Sequence, residues 1–197
     1  MPRGLSTDIK AELAKDAIQF SDLVELHFTS LGSGYNPLRL TNCPIDIVTS
    51  TSTASSGTYA ANGNMLSFDT ITETGEAKVN QVNMNLSGAS STITNLFFNN
   101  DYVDRRVVIY RVFYDKNFTF IGSPVMLFDG EIQSYIVNET GSASQLSVTS
   151  ASVFYDFERS NGRRTNETSQ QAVFPADKGM EWSALTTDDI SWGKPDA

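Results

Sequence analysis

The sequence predicts an all-β fold, an antiparallel β-sandwich or partly closed barrel with a short N-terminal helix and an irregular C-terminal arm. Three observations carry that expectation. Within residues 105–137, Val107, Ile109 and Phe113 fall on one side of an extended chain and Val108, Tyr110, Val112 and Tyr114 on the other, so both faces are apolar, as in a central strand. Residues 79–86 alternate, with Val82, Met84 and Leu86 set against Gln81, Asn83 and Asn85, as in a strand with one buried face. Finally, strand and helix patterns never alternate in a repeating way, which argues against a parallel α/β sheet.

In chain order, Ser6 or Thr7 can cap a short helix whose Ile9, Leu13 and Ala17 recur every fourth residue. So short a helix is marginal alone and has to pack on the sheet or on a neighbour. Residues 22–28 predict a strand with Val24, Leu26 and Phe28 inward, and with Leu23, Glu25 and His27 on a wet outer face. A Gly- and Pro-containing loop at 31–37 precedes two short strands, 38–41 and 45–48. The run TSTSTASSG at 49–57 has nothing large to bury and predicts a mobile loop. Asn62-Gly63 is a turn signal, so 58–61 and 65–68 are expected to pair as a hairpin. The apolar cluster Ile93, Leu96, Phe97 and Phe98 fits either a helical turn plugging a barrel end or a strand. Gly122-Ser123-Pro124 predicts a break before the strand 125–137, and 145–149 predicts a last strand with Leu146 and Val148 inward. The core is expected to hold Val108, Tyr110 and Phe128. The expected division is a helical segment at 1–20, a β-core at 21–155 and an extended arm at 156–197.

Composition narrows the chemistry. A net charge of -9 over 197 residues argues against a general nucleic-acid binder, whose affinity rests on clustered Lys and Arg. The start of the chain has no apolar signal-peptide core and no run is long enough to span a bilayer, so the expectation is a chain made in the cytoplasm that stays soluble, with no membrane contact. Cys43, the single cysteine, excludes an intrachain disulfide and reads as a buried thiol beside Pro44. His27, the single histidine, limits any Ser-His-Asp scheme to itself and reads as a strand-surface residue. Asp69, Glu73 and Glu76 are the carboxylates nearest to a glycosidase pair, but turn carboxylates are the plainer reading. Asp101, Asp104, Arg105 and Arg106 read as solvated charges where a strand begins. No catalytic residue, cofactor or metal is expected, and the chain is not expected to be an enzyme.

Arg159, Arg163 and Arg164 cluster around Asn161-Gly162, and large aromatics, among them Phe174 and Trp182, interleave with them. Guanidinium groups favour planar carboxylate partners, and aromatics anchor interfaces. The predicted subunit interface is therefore Arg159, Arg163, Arg164, Gln170, Gln171, Phe174 and Trp182.

The segment FERSNGRRTNETSQQAVFPADKGMEW, with its Arg-rich turn, Gln pair and Phe-Pro-x-Asp step, resembles a stretch in tail-tip proteins of long-tailed bacteriophages. Upstream, LVELHF, LRLTNCPIDIV, TYAANGNMLSF, VNMNLSG, RRVVIYRVFYD and VMLFDGEI resemble the β-rich body of the same group, which includes distal tail and hub-like minor tail proteins. The resemblance implies a structural virion protein at the distal tail, made in the bacterial host cytoplasm, that forms a homo-oligomeric ring, threefold or sixfold. The ring would join the tail tube to the tail-tip hub. Implied partners are further copies of itself and the tail tube, tape-measure and tail-tip hub proteins of the tail tip or baseplate, with DNA passing only transiently through the lumen. Some hub-like relatives carry a C-terminal cysteine cluster for an iron-sulfur centre. Cys43 lies far upstream of that position, so no such centre carries over. The alternative from residue chemistry is a carbohydrate-binding β-sandwich module.

Overall fold

The computed structural model describes residues 5–30, 37–72, 78–88, 91–140, 143–158 and 166–181. The chain divides into two compact units, Met1–Phe157 and Glu158–Ala197. In order, the elements are α1 (Thr7–Leu13), β1 (Phe20–Leu26), β2 (Thr29–Ser30), β3 (Leu38–Thr41), β4 (Ile47–Thr49), β5 (Gly57–Tyr59), β6 (Met65–Phe68) and β7 (Gln81–Ser87). They continue with α2 (Ser91–Asn99), β8 (Asn100–Asp101), β9 (Arg106–Tyr114), β10 (Phe120–Thr140), β11 (Ala143–Ser152), α3 (Tyr155–Glu158) and α4 (Glu167–Gln171).

Seven strands form one antiparallel sheet in the order β3-β1-β9-β10-β11-β7-β6. The sheet curls into a half-barrel, as the all-β expectation requires. Its corner is β10, 21 residues long. The first part of β10 pairs with β9 and the part from Gly130 onward pairs with β11, with register shifts at 121/125, 126/128 and 132/134. Such bulges bend a strand and increase its twist, which lets one strand belong to both halves of the sheet. The halves enclose a common core, with Val24, Leu26, Val107 and Ile109 facing Val82, Met84, Leu86, Leu146 and Val148. β9 is covered on both faces, with Val107, Val108, Ile109 and Tyr110 at 1% exposure or less. The uncertain 93–98 cluster is helical: α2 brings Ile93 and Phe97 into this core, and Phe97 meets Phe28 edge-on at 5.0 Å.

The expected break at 122–124 is instead an irregularity inside a continuous β10. Gly122 sits at φ +69°, and a Cβ there would lie 2.9 Å from Ile9 and from the Ser6 hydroxyl. The bulge is thus the seat of α1, whose Ser6 cap accepts the Ile9 N–H and whose Ile9 is 2% exposed.

The outer face of β1 is dry, contrary to expectation: Leu23, Glu25 and His27 are all buried. The reason is the segment after β3, which folds back as the small β4–β5 sheet. Cys43, Ile47 and Tyr59 there join Leu23, Val108, Tyr110 and Val112 in a second core. The Ser/Thr loop expected to be mobile is tied down, because the hydroxyls of Ser52 and Thr53 reach the Tyr110 hydroxyl at 2.8 and 3.2 Å. The Asn62-Gly63 turn does form, with Gly63 at φ +70° and the Asn62 side chain accepting the Asn64 N–H. Its flanks do not pair with each other, however: β5 pairs with β4 and β6 with β7.

In the second unit a five-residue helix, α4, stands within the stretch expected to be irregular. The Asn166 side chain caps it by accepting the Ser169 N–H.

Candidate functional site

Of the predicted interface, Arg159, Arg163, Arg164 and Trp182 lie outside the described residues, as do Glu73 and Glu76 of the weighed carboxylates. Gln170 donates its side-chain N–H to Asp177 at 2.6 Å and Gln171 donates to Glu167 at 2.9 Å, so both amides serve the fold of their own segment. The Gln170 amide, with the Gly179 N–H, holds the Asp177 carboxyl below its usual range. Phe174 is 56% exposed.

Two features that the sequence reading did not single out emerge on opposite faces of β1, because side chains alternate along a strand. On the outer face, the fully buried Glu25 carboxylate accepts from Arg39 Nη2 at 2.8 Å on one oxygen, and from the hydroxyls of Thr53 and Tyr59 on the other. His27 Nε2 lies 3.6 Å from the first oxygen. Burial lowers the His27 pKa, and Glu25 opposes that shift. Burial likewise pushes the Tyr59 hydroxyl up to about 12. A carboxylate enclosed by donors from β3, β5 and the Ser/Thr loop acts as a clamp that holds the folded-back segment on the sheet. The legible signal was the hydroxyl run 49–53, a set of donors close in sequence to an apolar cover.

On the inner face, Asp22 and Arg111 form a two-point pair, Nε to Oδ1 at 2.7 Å and Nη2 to Oδ2 at 3.2 Å. The Arg111 guanidinium also lies 4.1 Å over the Phe20 ring. This pair floors a cleft of about 510 Å³ at the mouth of the curled sheet, with Asn42 and Leu127 beside it and β6 and the residues after it as the facing wall. Asn42 accepts the Asp22 N–H at 2.8 Å, which fixes the floor. Asp69 rises on the far wall, where Asn83 Nδ2 donates to one of its oxygens at 2.8 Å. Apolar Met65, Phe68 and Ile71 line the cleft together with polar Ser67 and Thr70. A mixed concave lining with a few convergent polar groups is the ordinary form of a binding site. Asp22 and Arg111 neutralise each other, leaving Asp69 as the uncompensated charge of the lining.

No family model and no curated protein sequence matches the chain. Among the described residues, no group of three or more His, Cys, Asp and Glu side chains is placed to hold a metal ion. No helix among them is long and apolar enough to cross a membrane.

Proposed function

We propose that the chain is a structural component of a phage tail, a non-enzymatic ring subunit at the distal end that connects the tail tube to the tail-tip hub. The observation that carries this reading is the number of large apolar side chains left at the surface of a well-packed β-body. Phe157 is 84% exposed, Phe98 64% and Ile136 58%. Exposed aromatics and aliphatics of this kind become buried anchors on assembly. The Arg-rich turn and Phe-Pro-x-Asp step, through their resemblance to tail-tip proteins, give the assembly its location. Native mass measurement tests the reading: a closed ring has a discrete copy number. Cryo-microscopy of purified particles then places the ring, and absence of the chain from the tail would sink the proposal.

A second reading, a carbohydrate-binding module, draws on Phe118. The residue stands at φ +59° in a turn where Asp115 accepts the N–H groups of Asn117 and Thr119. Its ring, 50% exposed, stacks on Tyr114 at 5.1 Å with an interplanar angle of 17°. A bulky residue in the left-handed region carries strain, and an aromatic platform held there suits stacking on a sugar face. A glycan array read with wild type and Phe118→Ala checks it, with hits expected for wild type alone; a blank array removes the reading.

A further inference from the structure

The mouth cleft meets β6 along its edge. Side chains alternate between the faces of a strand, so a cleft lying over one face would take every second residue. Met65, Ser67, Phe68, Asp69, Thr70 and Ile71 all line it. They do so although Met65 and Phe68 pack with the core while Ser67 hydrogen-bonds Asn85 on the wet side of β7. β6 ends the sheet, and among the described residues it pairs only with β7. Asp69 donates its N–H to Asn83 of β7 at 2.9 Å. In extended chain the neighbouring N–H groups of Phe68 and Thr70 therefore face the other way, into the cleft. Residues 65–71 span roughly 23 Å if extended, a length on which a strand can pair. An open edge of this sort is a template for another strand, with main-chain hydrogen bonds supplying affinity and side-chain sockets supplying selectivity.

Charge selects the occupant. The lining carries Asp69 beyond the self-neutralised Asp22–Arg111 pair, so it suits a strand bearing a basic side chain. The close arginines of the body are already committed: Arg105 to Asp101, Arg106 to Asp129 and Arg111 to Asp22. Three of the 14 basic residues in the sequence fall within the six positions 159–164. We infer that the β6 edge receives the arginine-containing stretch around 159–164 of a second copy of this chain, with main-chain contacts to the edge donors and an arginine on Asp69. This inference rests on the ring reading and names the seat of one ring contact.

The test uses the full chain and a labelled synthetic peptide of residues 157–170. Wild type, Asp69→Lys and Thr70→Pro are compared by native mass, with circular dichroism confirming their folds. Thr70→Pro removes an edge donor without touching the Asp69–Asn83 bond. A full chain carrying Arg159→Ser, Arg163→Ser and Arg164→Ser serves as the peptide receptor, so that its own copies do not compete. The expected results are saturable peptide binding, at least tenfold weaker when Asp69→Lys is added to the receptor, and loss of the wild-type assembly in both edge variants. Combining Asp69→Lys with Arg163→Glu and Arg164→Glu is expected to restore assembly, which a merely misfolded edge would not do. If wild type and both edge variants assemble alike, the seat is wrong while the ring reading stands. If wild type is monomeric yet the peptide binds at Asp69, the seat stands and the ring reading fails. A monomer that ignores the peptide overturns both.

Discussion

Glu25 shows how one residue can hold an element in place. Its carboxylate is 0% exposed and takes donors from Arg39, Thr53 and Tyr59. Removing it with Glu25→Ala would leave a half-buried guanidinium and two hydroxyls without this acceptor, and such a loss costs about 3 kcal/mol, the low end for a buried pair. Urea unfolding is the measure, and a cost under about 1 kcal/mol would show the clamp to be dispensable. His27 adds a pH dependence whose sign follows from burial. Its folded pKa lies below the ordinary 6.5, so as pH falls through 6.5 the unfolded chain takes up the proton first. Its contribution to stability is therefore full above pH 6.5 and is lost as pH falls from 6.5 toward the folded pKa. Carboxylates titrate lower, around pH 4, which leaves a window in which the histidine dominates. Unfolding free energies of wild type should decline across that window and those of His27→Gln should stay flatter; equal slopes would assign the decline to other groups.

At the level of elements, Gly122 joins the N-terminal helix to the corner strand. A Gly122→Ala change puts a Cβ against Ile9 and Ser6 at a backbone conformation, φ +69°, that costs an L-residue about 1–2 kcal/mol. Because a seven-residue helix depends on its packing, the amides of α1 should exchange faster in the variant while those of β9 stay protected. Unchanged exchange in α1 would mean that the helix is held by other contacts. The same bulge marks where the sequence ceased to be legible. Alternation in β7 and the two apolar faces of β9 were readable because side-chain period is local. Whether Gly-Ser-Pro ends a strand or bends it depends on whether another element fills the bend, and α1 lies more than a hundred residues upstream. The Asn62-Gly63 turn was legible as a turn, but its partners were chosen by tertiary packing, with β6 drawn to β7 by Met65 and Phe68 entering the main core. The wet-face reading of Glu25 and His27 failed for a related reason: polar residues in a strand indicate solvent only if no later segment supplies hydroxyl and guanidinium donors to cover them. For the cleft, Asp69 was visible as a carboxylate, but Asp22 and Arg111 are 89 positions apart and meet only through the β1–β9 register.

For the molecule as a whole, the distribution of burial separates folding from assembly. Among the described residues, every buried apolar side chain lies between Ile9 and Ala151, within the unit Met1–Phe157. The described part of the second unit has a short capped helix, local side-chain hydrogen bonds and an exposed Phe174, and no buried residue in α4. Hydrophobic burial is the main favourable term in folding, so the stability of the β-body should reside in the first unit. A chain ending after Phe157 should therefore unfold in one cooperative step, with a free energy within about 0.5 kcal/mol of the same transition in the full chain, as expected for changes away from a core. Its assembly should be lost if the arginine stretch is what a neighbouring copy receives. These two readouts answer different questions. A truncated chain that fails to fold would show that the second unit completes the core. A truncated chain that folds and still forms the wild-type ring would move the subunit contacts onto the β-body, where Phe98 and Ile136 are the exposed side chains to mutate next.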